Sequence, residues 1–241
     1  MKIKLFTIPN IITCLNLLSG CGSIVAAFNG DFKWAFFLII IAAIFDFFDG
    51  FTARLLKSYS AIGKELDSLA DIVSFGVAPA VMLFCLLGLN SETGAEKYIV
   101  FIVAAFSALR LAKFNIDDRQ STDFIGLPTP ANAMFISSLA YLAAKGESGI
   151  LNYLVSVPWI TIGLAIIFSI LLVSEIRMFS LKFSKEKNND QYLRYIFLLV
   201  SLILIIAMKV YAIPSIIILY IIISLVRNFF GKKPDKSSVI E

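Results

Sequence analysis

The sequence predicts an all-α polytopic membrane protein with about eight transmembrane helices and both termini cytoplasmic. Three observations carry this expectation. Of 241 residues, 59% are apolar, against about 45–50% in ordinary soluble domains, and the mean hydropathy is +0.88. The apolar residues gather in stretches at roughly 11–28, 33–54, 66–89, 97–115, 128–145, 151–174, 192–209 and 213–230, each near the ~20 residues that cross hydrocarbon. The basic residues are unevenly shared between the connections. With the N-terminus inside, the cytoplasmic side collects Lys2, Lys4, Arg54, Lys57, Lys64, Arg110, Lys113, Arg119, Arg177, Lys182, Lys185, Lys187, Arg194, Arg227, Lys232, Lys233 and Lys236. That is 17 of the 21 Lys and Arg, leaving Lys33, Lys97, Lys145 and Lys209 outside; the positive-inside rule selects this orientation.

In chain order, "MKIKLFTIPN" puts two lysines before an apolar run. More apolar stretches follow, so the first is a retained span and not a removed secretory signal. Span two ends in "DFFDGFTARL" and span three begins with "GKELDSLAD". The turn after span four carries Arg110, Lys113, Asn115 and Arg119. The proline-bounded "GLPTPANA" opens span five with Gly126, Thr129 and Asn132. The longest polar connection, around "RMFSLKFSKEKNNDQYLR", separates span six from span seven. The last span is short enough to tilt or dip. The tail "GKKPDKSSVIE" reads as a solvated end that touches anionic lipid. No internal repeat and no soluble domain are visible.

Composition also excludes chemistry. There is no histidine, so imidazole-based triads, shuttles and zinc sites are ruled out. Cys14, Cys21 and Cys85 form no CxxC pair and read as small apolar helix residues. Acid–base or metal chemistry falls to carboxylates, lysine, tyrosine and hydroxyls, and oxygen ligands favour Mg²⁺, Mn²⁺ or Ca²⁺. The net charge of +4 reflects topology, and no nucleic-acid partner is expected.

The informative stretch is "DFFDGFTARLLKSYSAIGKELDSLADIVS". Asp46 and Asp49 are three apart, Asp67 and Asp71 four apart, so each pair shares a helix face. The two helices are joined by a short connection and are antiparallel neighbours, so the acidic faces can meet near the cytoplasmic side. Four unpaired carboxylates repel one another, and burial adds a desolvation cost. Salt bridges to Arg54 and Lys64 would account for two of them. Two divalent cations would balance all four. Gly50, Ala53 and Gly63 are small neighbours that let helices approach or let a ligand reach backbone. With Arg54 they form a wall for a phosphate-bearing group. A divalent-cation transporter would also place acids in a membrane, although mid-membrane and open to both sides.

The pattern D-x-x-D-G-x-x-A-R, eight residues, then G-x-x-x-D-x-x-x-D resembles the signature of the CDP-alcohol phosphotransferase family. Here it reads Asp46, Asp49, Gly50, Ala53, Arg54, Gly63, Asp67 and Asp71. The resemblance implies a six-helix membrane core, a homodimer and transfer of a CDP-linked phosphoryl group to an alcohol with release of CMP. Carried over by position, it implies that Asp46, Asp49, Asp67 and Asp71 hold two divalent ions, Mg²⁺ or Mn²⁺ (or Ca²⁺ in vitro). Asp71 is then also the general base, and Gly50, Ala53, Arg54 and Gly63 shape the CDP-lipid pocket. Such a catalytic domain would span 1–230, with the core about 1–174, extra helices about 192–230 and a polar tail at 231–241. "IPNIITCLNLLSG" is similar to the family's opening span. There Pro9 suits a helix start, Asn10 and Thr13 cap it or line the nucleotide pocket, capping being preferred, and Asn16 faces inward.

"IVSFGVAPA" and "SALRLAKFNIDDRQSTDFIGLPTPANA" resemble the phosphatidylserine synthase branch of that family in its integral-membrane form, as do the length and two added spans. This implies CDP-diacylglycerol and L-serine as substrates, a plasma (inner) membrane location and an active site facing the cytoplasm. Serine's carboxylate wants a cation or a helix N-terminus, so Arg110, Lys113, Asn115 and Asn132 are candidates for its pocket. Arg110 and Lys113 also suit positive-inside anchoring, and Asp117, Asp118 and Asp123 read as loop charge. Glycerol 3-phosphate, an inositol phosphate or an archaeal-type CDP-lipid with serine stay open as substrates.

Overall fold

The protein is described by a computed structural model over residues 5–89, 94–117, 124–146, 157–178 and 189–230. Arg119, Asp118, Asp123, the start of the 151–174 stretch and the tail lie outside the described residues, as do Lys2, Lys4, Lys182, Lys185 and Lys187. The fold is mostly helical, and five helical stretches are long and apolar enough to cross a membrane among the described residues.

Helix α1 (Ile8–Phe28) and α2 (Phe32–Leu55) form the first hairpin. Gly30, at φ 75, makes the left-handed turn between them. Asp31 then caps α2, its carboxylate accepting from the Trp34 amide at 3.0 Å. The inward face of α1 is polar and small: Asn10, Thr13, Asn16, Ser19, Gly20, Ser23 and Ala27 are buried. Leu15, Leu18, Val25 and Phe28 are exposed. In water that polarity would be inverted. In lipid it is the expected arrangement, because apolar side chains gain nothing by leaving the tails and small residues allow close packing. The Ser23 hydroxyl donates to the Ala35 carbonyl at 2.8 Å, joining the two helices.

The cap of α1 differs from the expectation. Thr7 is the N-cap and accepts from the Asn10 amide. The Asn10 side chain donates to the Leu5 carbonyl at 2.8 Å and Thr13 to the Pro9 carbonyl at 3.0 Å. A cap lies outside the first turn, so residues already inside the helix cannot fill the role.

Helix α3 (Ala61–Gly88) begins well before the apolar stretch at 66, because Ser60 starts it. The Ser60 hydroxyl accepts from the Gly63 amide at 3.1 Å, and the first turns are polar. The helix carries a π turn at Ile72–Val77, directly after Asp71. Gly20 and Gly76 fit this turn between its neighbours. A Cβ on Gly20 would lie 2.7 Å from Ser74 Cα, and one on Gly76 3.1 Å from Ser107 Cβ.

Helix α4 (Ala95–Ile116) starts as a 3₁₀ segment. Helices α5 (Thr129–Ala144) and α6 (Pro158–Val173) are shorter, at 16 residues each. They are joined by the stacked rings of Phe135 and Phe168, with centroids 3.9 Å apart. Ahead of α5, β1 (Phe124–Ile125) pairs antiparallel with β2 (Arg177–Met178), and the Gly126 and Leu127 amides donate to Ile176 and Leu171 carbonyls. This clasp ties the start of α5 to the end of α6.

Helices α7 (Asn189–Met208) and α8 (Ala212–Phe230) fold back on each other at Lys209, which has φ 52. Phe197 and Tyr220 have ring centroids 6.1 Å apart, which a straight continuation of the helix would forbid.

Candidate active site

The connection between α2 and α3 is short, so the end of one lies beside the start of the other. It carries Asp46 and Asp49 from the C-terminal half of α2 against Asp67 of α3. One carboxylate oxygen from each lies within 4.8 Å of the others. Asp49 is buried, and Asp46 and Asp67 are half-buried. Asp71, one turn beyond Asp67, is 7% exposed. Its Oδ1 accepts from Asn16 Nδ2 of α1 at 3.1 Å.

Asp49 Oδ2 and Asp67 Oδ1 are buried without a hydrogen-bond partner. The salt bridges considered for Arg54 and Lys64 do not form among the described residues. Arg54 is exposed at the end of α2, and Lys64 donates to the Asn115 carbonyl at 2.9 Å. Like charges this close, with orphaned oxygens and, among the described residues, no cationic side chain paired to them, fit hard divalent cations. The donor set, all carboxylate oxygen, agrees.

Beside this cluster is a cavity of about 530 Å³. Asp49 and Asp67 form its acidic edge. Gly50 and Ala53 of α2 and Gly63 of α3 form its walls, and Asn10 and Thr13 of α1 line it as well. A Cβ on Gly50 would meet nothing within 4 Å, so there is open space beside this residue. Pro9 and the segment Ser58, Tyr59, Ser60, Ala61 and Lys64 complete the lining. The segment places the N-terminus of α3 at the cavity, where free amides and the helix dipole favour an anion. Ser60 and Lys64 were not singled out from the sequence as pocket residues; the helix-cap signature around Ser60 is the signal that would have found them. Arg54 does not line the cavity.

A second polar region lies between α4 and α5. Arg110 is 7% exposed and its Nη1 donates to Thr129 Oγ1 at 3.1 Å. Its guanidinium carbon sits 5.0 Å from the Phe114 ring centroid, and its Nε has no partner. It lies within electrostatic reach of Asp71 and Asp46. Asn132, one turn after Thr129, is fully buried with both ends of its amide unpartnered. The other two serine-pocket candidates are engaged elsewhere. Lys113 forms an ion pair with Glu175. The Asn115 amide donates to Ser68 Oγ at 2.9 Å, linking α4 to α3.

A cluster of carboxylate oxygens that fits hard cations, beside a cavity that reaches a helix N-terminus inside a helical membrane bundle, is a candidate site for a phosphate-bearing ligand. Comparison with known sequences agrees. Residues 6–171 match the family profile described as CDP-alcohol phosphatidyltransferase, and the chain belongs to that family. A Helicobacter pylori protein named CDP-diacylglycerol–serine O-phosphatidyltransferase is 33% identical over 230 residues, covering 94% of this chain and 92% of that protein. A Methanocaldococcus jannaschii protein of the same name is 36% identical over 174 residues, 72% of this chain and 74% of its own. One from Saccharomyces cerevisiae is 37% identical over 151 residues, 56% of this chain and 54% of its own.

Proposed function

We propose that this protein transfers the phosphatidyl group of CDP-diacylglycerol to the hydroxyl of L-serine, giving phosphatidylserine and CMP. The observation that carries the reading is the intramembrane carboxylate cluster opening on the 530 Å³ cavity. The shared name of relatives from a bacterium, an archaeon and a yeast supports serine as the acceptor.

In this reading Asp46, Asp49, Asp67 and Asp71 hold two divalent ions, Mg²⁺ or Mn²⁺, with Ca²⁺ acting in vitro. When bound, such ions supply charge neutralisation for the diphosphate and the leaving CMP. The protein's own groups do the rest. Gly50, Ala53 and Gly63 let the nucleotide-diphosphate lie close to backbone, and the α3 N-terminus with Lys64 faces its anionic oxygens. Arg54, outside the cavity wall, meets the exposed part of the ligand. Asp71 takes the proton of the serine hydroxyl as its oxygen attacks the lipid-side phosphorus. Arg110 and Asn132, buried with unpartnered polar atoms, take the serine carboxylate and ammonium. Lys113 and Asn115 frame that pocket through Glu175 and Ser68.

The architecture we propose for this work is one catalytic membrane domain over 1–230. Its core ends near 174, α7 and α8 follow, and the polar tail covers 231–241. Eight segments cross the plasma (inner) membrane with both termini and the active site cytoplasmic, which the distribution of Lys and Arg supports. The working unit is a homodimer. The acids lie in the cavity-facing halves of α2 and α3, which favours an enzyme over a transporter open to both sides.

The test is to mix purified protein with CDP-diacylglycerol, Mn²⁺ and, separately, L-serine, glycerol 3-phosphate and inositol phosphate, and to measure CMP. Serine-dependent CMP is expected. CMP release with another alcohol and none with serine would overturn the acceptor assignment.

A further inference from the structure

We infer that Asn16 is a positioning residue for Asp71, acting through a hydrogen bond that no motif in the chain announces. The inference rests on the reading of Asp71 as the base that receives the acceptor's hydroxyl proton.

Asn16 lies on the inward face of α1 and is fully buried. Its Nδ2 donates to Asp71 Oδ1 at 3.1 Å across 55 residues of sequence. The amide is turned as a base requires, because the ionised carboxylate that receives a proton can only accept. Its Oδ1 therefore points elsewhere, and it is buried with no hydrogen bond. A residue chosen for packing would not be of this kind. A leucine of similar shape fills the same space without leaving an acceptor orphaned in a membrane interior. What the amide supplies and leucine cannot is a donor on Asp71.

The backbone around Asn16 is fixed as well. The Ser74 hydroxyl donates to the Asn16 carbonyl at 3.0 Å. One turn further along α1, Gly20 lets the π turn of α3 approach until a Cβ would lie 2.7 Å from Ser74 Cα. The π turn begins at Ile72, the residue after Asp71. Helix α1 is thus pinned to the segment that carries Asp71, and Asn16 is held at the height of that carboxylate. With Oδ1 accepting from Asn16, rotation of the Asp71 side chain is restricted, and its remaining lone pairs are held in one place for the ion and the substrate hydroxyl.

This predicts a loss in the rate of the chemical step and not in nucleotide binding. Misplacement of a reacting group by about 1 Å can reduce rate on the order of a hundred-fold. The experiment compares wild type, Asn16→Leu, Asn16→Ala and Asp71→Asn as full-length protein in the same lipid. It reads kcat and KM from CMP release, the Kd for CDP with Mn²⁺, and the thermal midpoint. For Asn16→Leu the expected result is kcat down about ten- to a hundred-fold, with KM for CDP-diacylglycerol and Kd for CDP within about three-fold. Asn16→Ala, with a cavity, should lose kcat similarly and melt lower. Asn16→Leu with wild-type kcat, while Asp71→Asn is inactive, overturns the role of Asn16 and leaves that of Asp71 standing. Asp71→Asn with near wild-type kcat overturns both. A fall in kcat matched by equal losses in CDP binding and melting assigns Asn16 to packing and also overturns the inference. Should the wild type use an alcohol other than serine, the same variants are scored with that alcohol.

Discussion

Replacing Gly50 by alanine should move stability and binding in opposite directions. Gly50 sits inside α2, and a Cβ built there meets no atom within 4 Å. The methyl therefore clashes with nothing in the protein. Alanine is favoured over glycine in a helix interior by about 0.8–1 kcal/mol, so the folded state should gain roughly that amount. For a chain of this size this corresponds to a rise of about 2–4 °C in the thermal midpoint. Gly50 also lines the 530 Å³ cavity, so the methyl adds bulk at that wall. A ligand lying against the Gly50 backbone must shift or strain, and forcing a methyl into a well-packed contact costs about 1–3 kcal/mol. That converts to a Kd weaker by about 5- to 150-fold. The assay is thermal unfolding in lipid nanodiscs beside calorimetric titration with CDP and Mn²⁺. A higher midpoint with unchanged CDP affinity would refute the reasoning, because it would place the nucleotide away from this wall.

Five further predictions concern other parts of the site. Asp71→Asn should abolish CMP release while CDP still binds, measured by parallel turnover and titration. Removing divalent ions with a chelator should stop turnover, and Mn²⁺ or Mg²⁺ should restore it. Gly126→Ala should lower the thermal midpoint and turnover together. Its Cβ would lie 2.3 Å from the Leu172 carbonyl oxygen at a φ of +80; about 1–2 kcal/mol of backbone strain adds to loss of the clasp that holds Thr129 against Arg110. Arg110→Met should raise the KM for serine by more than about a hundred-fold, because its charge is buried and polar atoms are left unpaired. Lys113→Met, which breaks a partly exposed pair with Glu175, should shift stability by less than about 1 kcal/mol.

Much of the site was legible because helical periodicity carries it. The spacings of Asp46 with Asp49 and of Asp67 with Asp71 place each pair on one face, and a short turn brings the faces together. Gly50, Ala53 and Gly63 could be read as a wall for the same reason. Less visible were features set by contacts between distant segments. The bond from Asn16 to Asp71 joins residues 55 apart, and that between Lys113 and Glu175 joins residues 62 apart. The start of α3 was misplaced because hydropathy marks where a helix becomes apolar, whereas Ser60 marks where it begins. The reversal between α7 and α8 falls on Lys209, with neither glycine nor proline at the turn itself. The π turn after Asp71 has no sequence signature in "IVSFGV". It follows from the close approach of α1 and α4, which only the assembled bundle displays.

In the proposed reaction a serine hydroxyl oxygen attacks the lipid-side phosphorus and CMP leaves. It is tested most directly by supplying L-serine labelled with ¹⁸O in its hydroxyl to the purified protein with CDP-diacylglycerol. Mass spectrometry then locates the label. Phosphatidylserine that carries the label and CMP that carries none are the expected products. Unlabelled phosphatidylserine, labelled CMP, or the absence of a serine-containing lipid would contradict it.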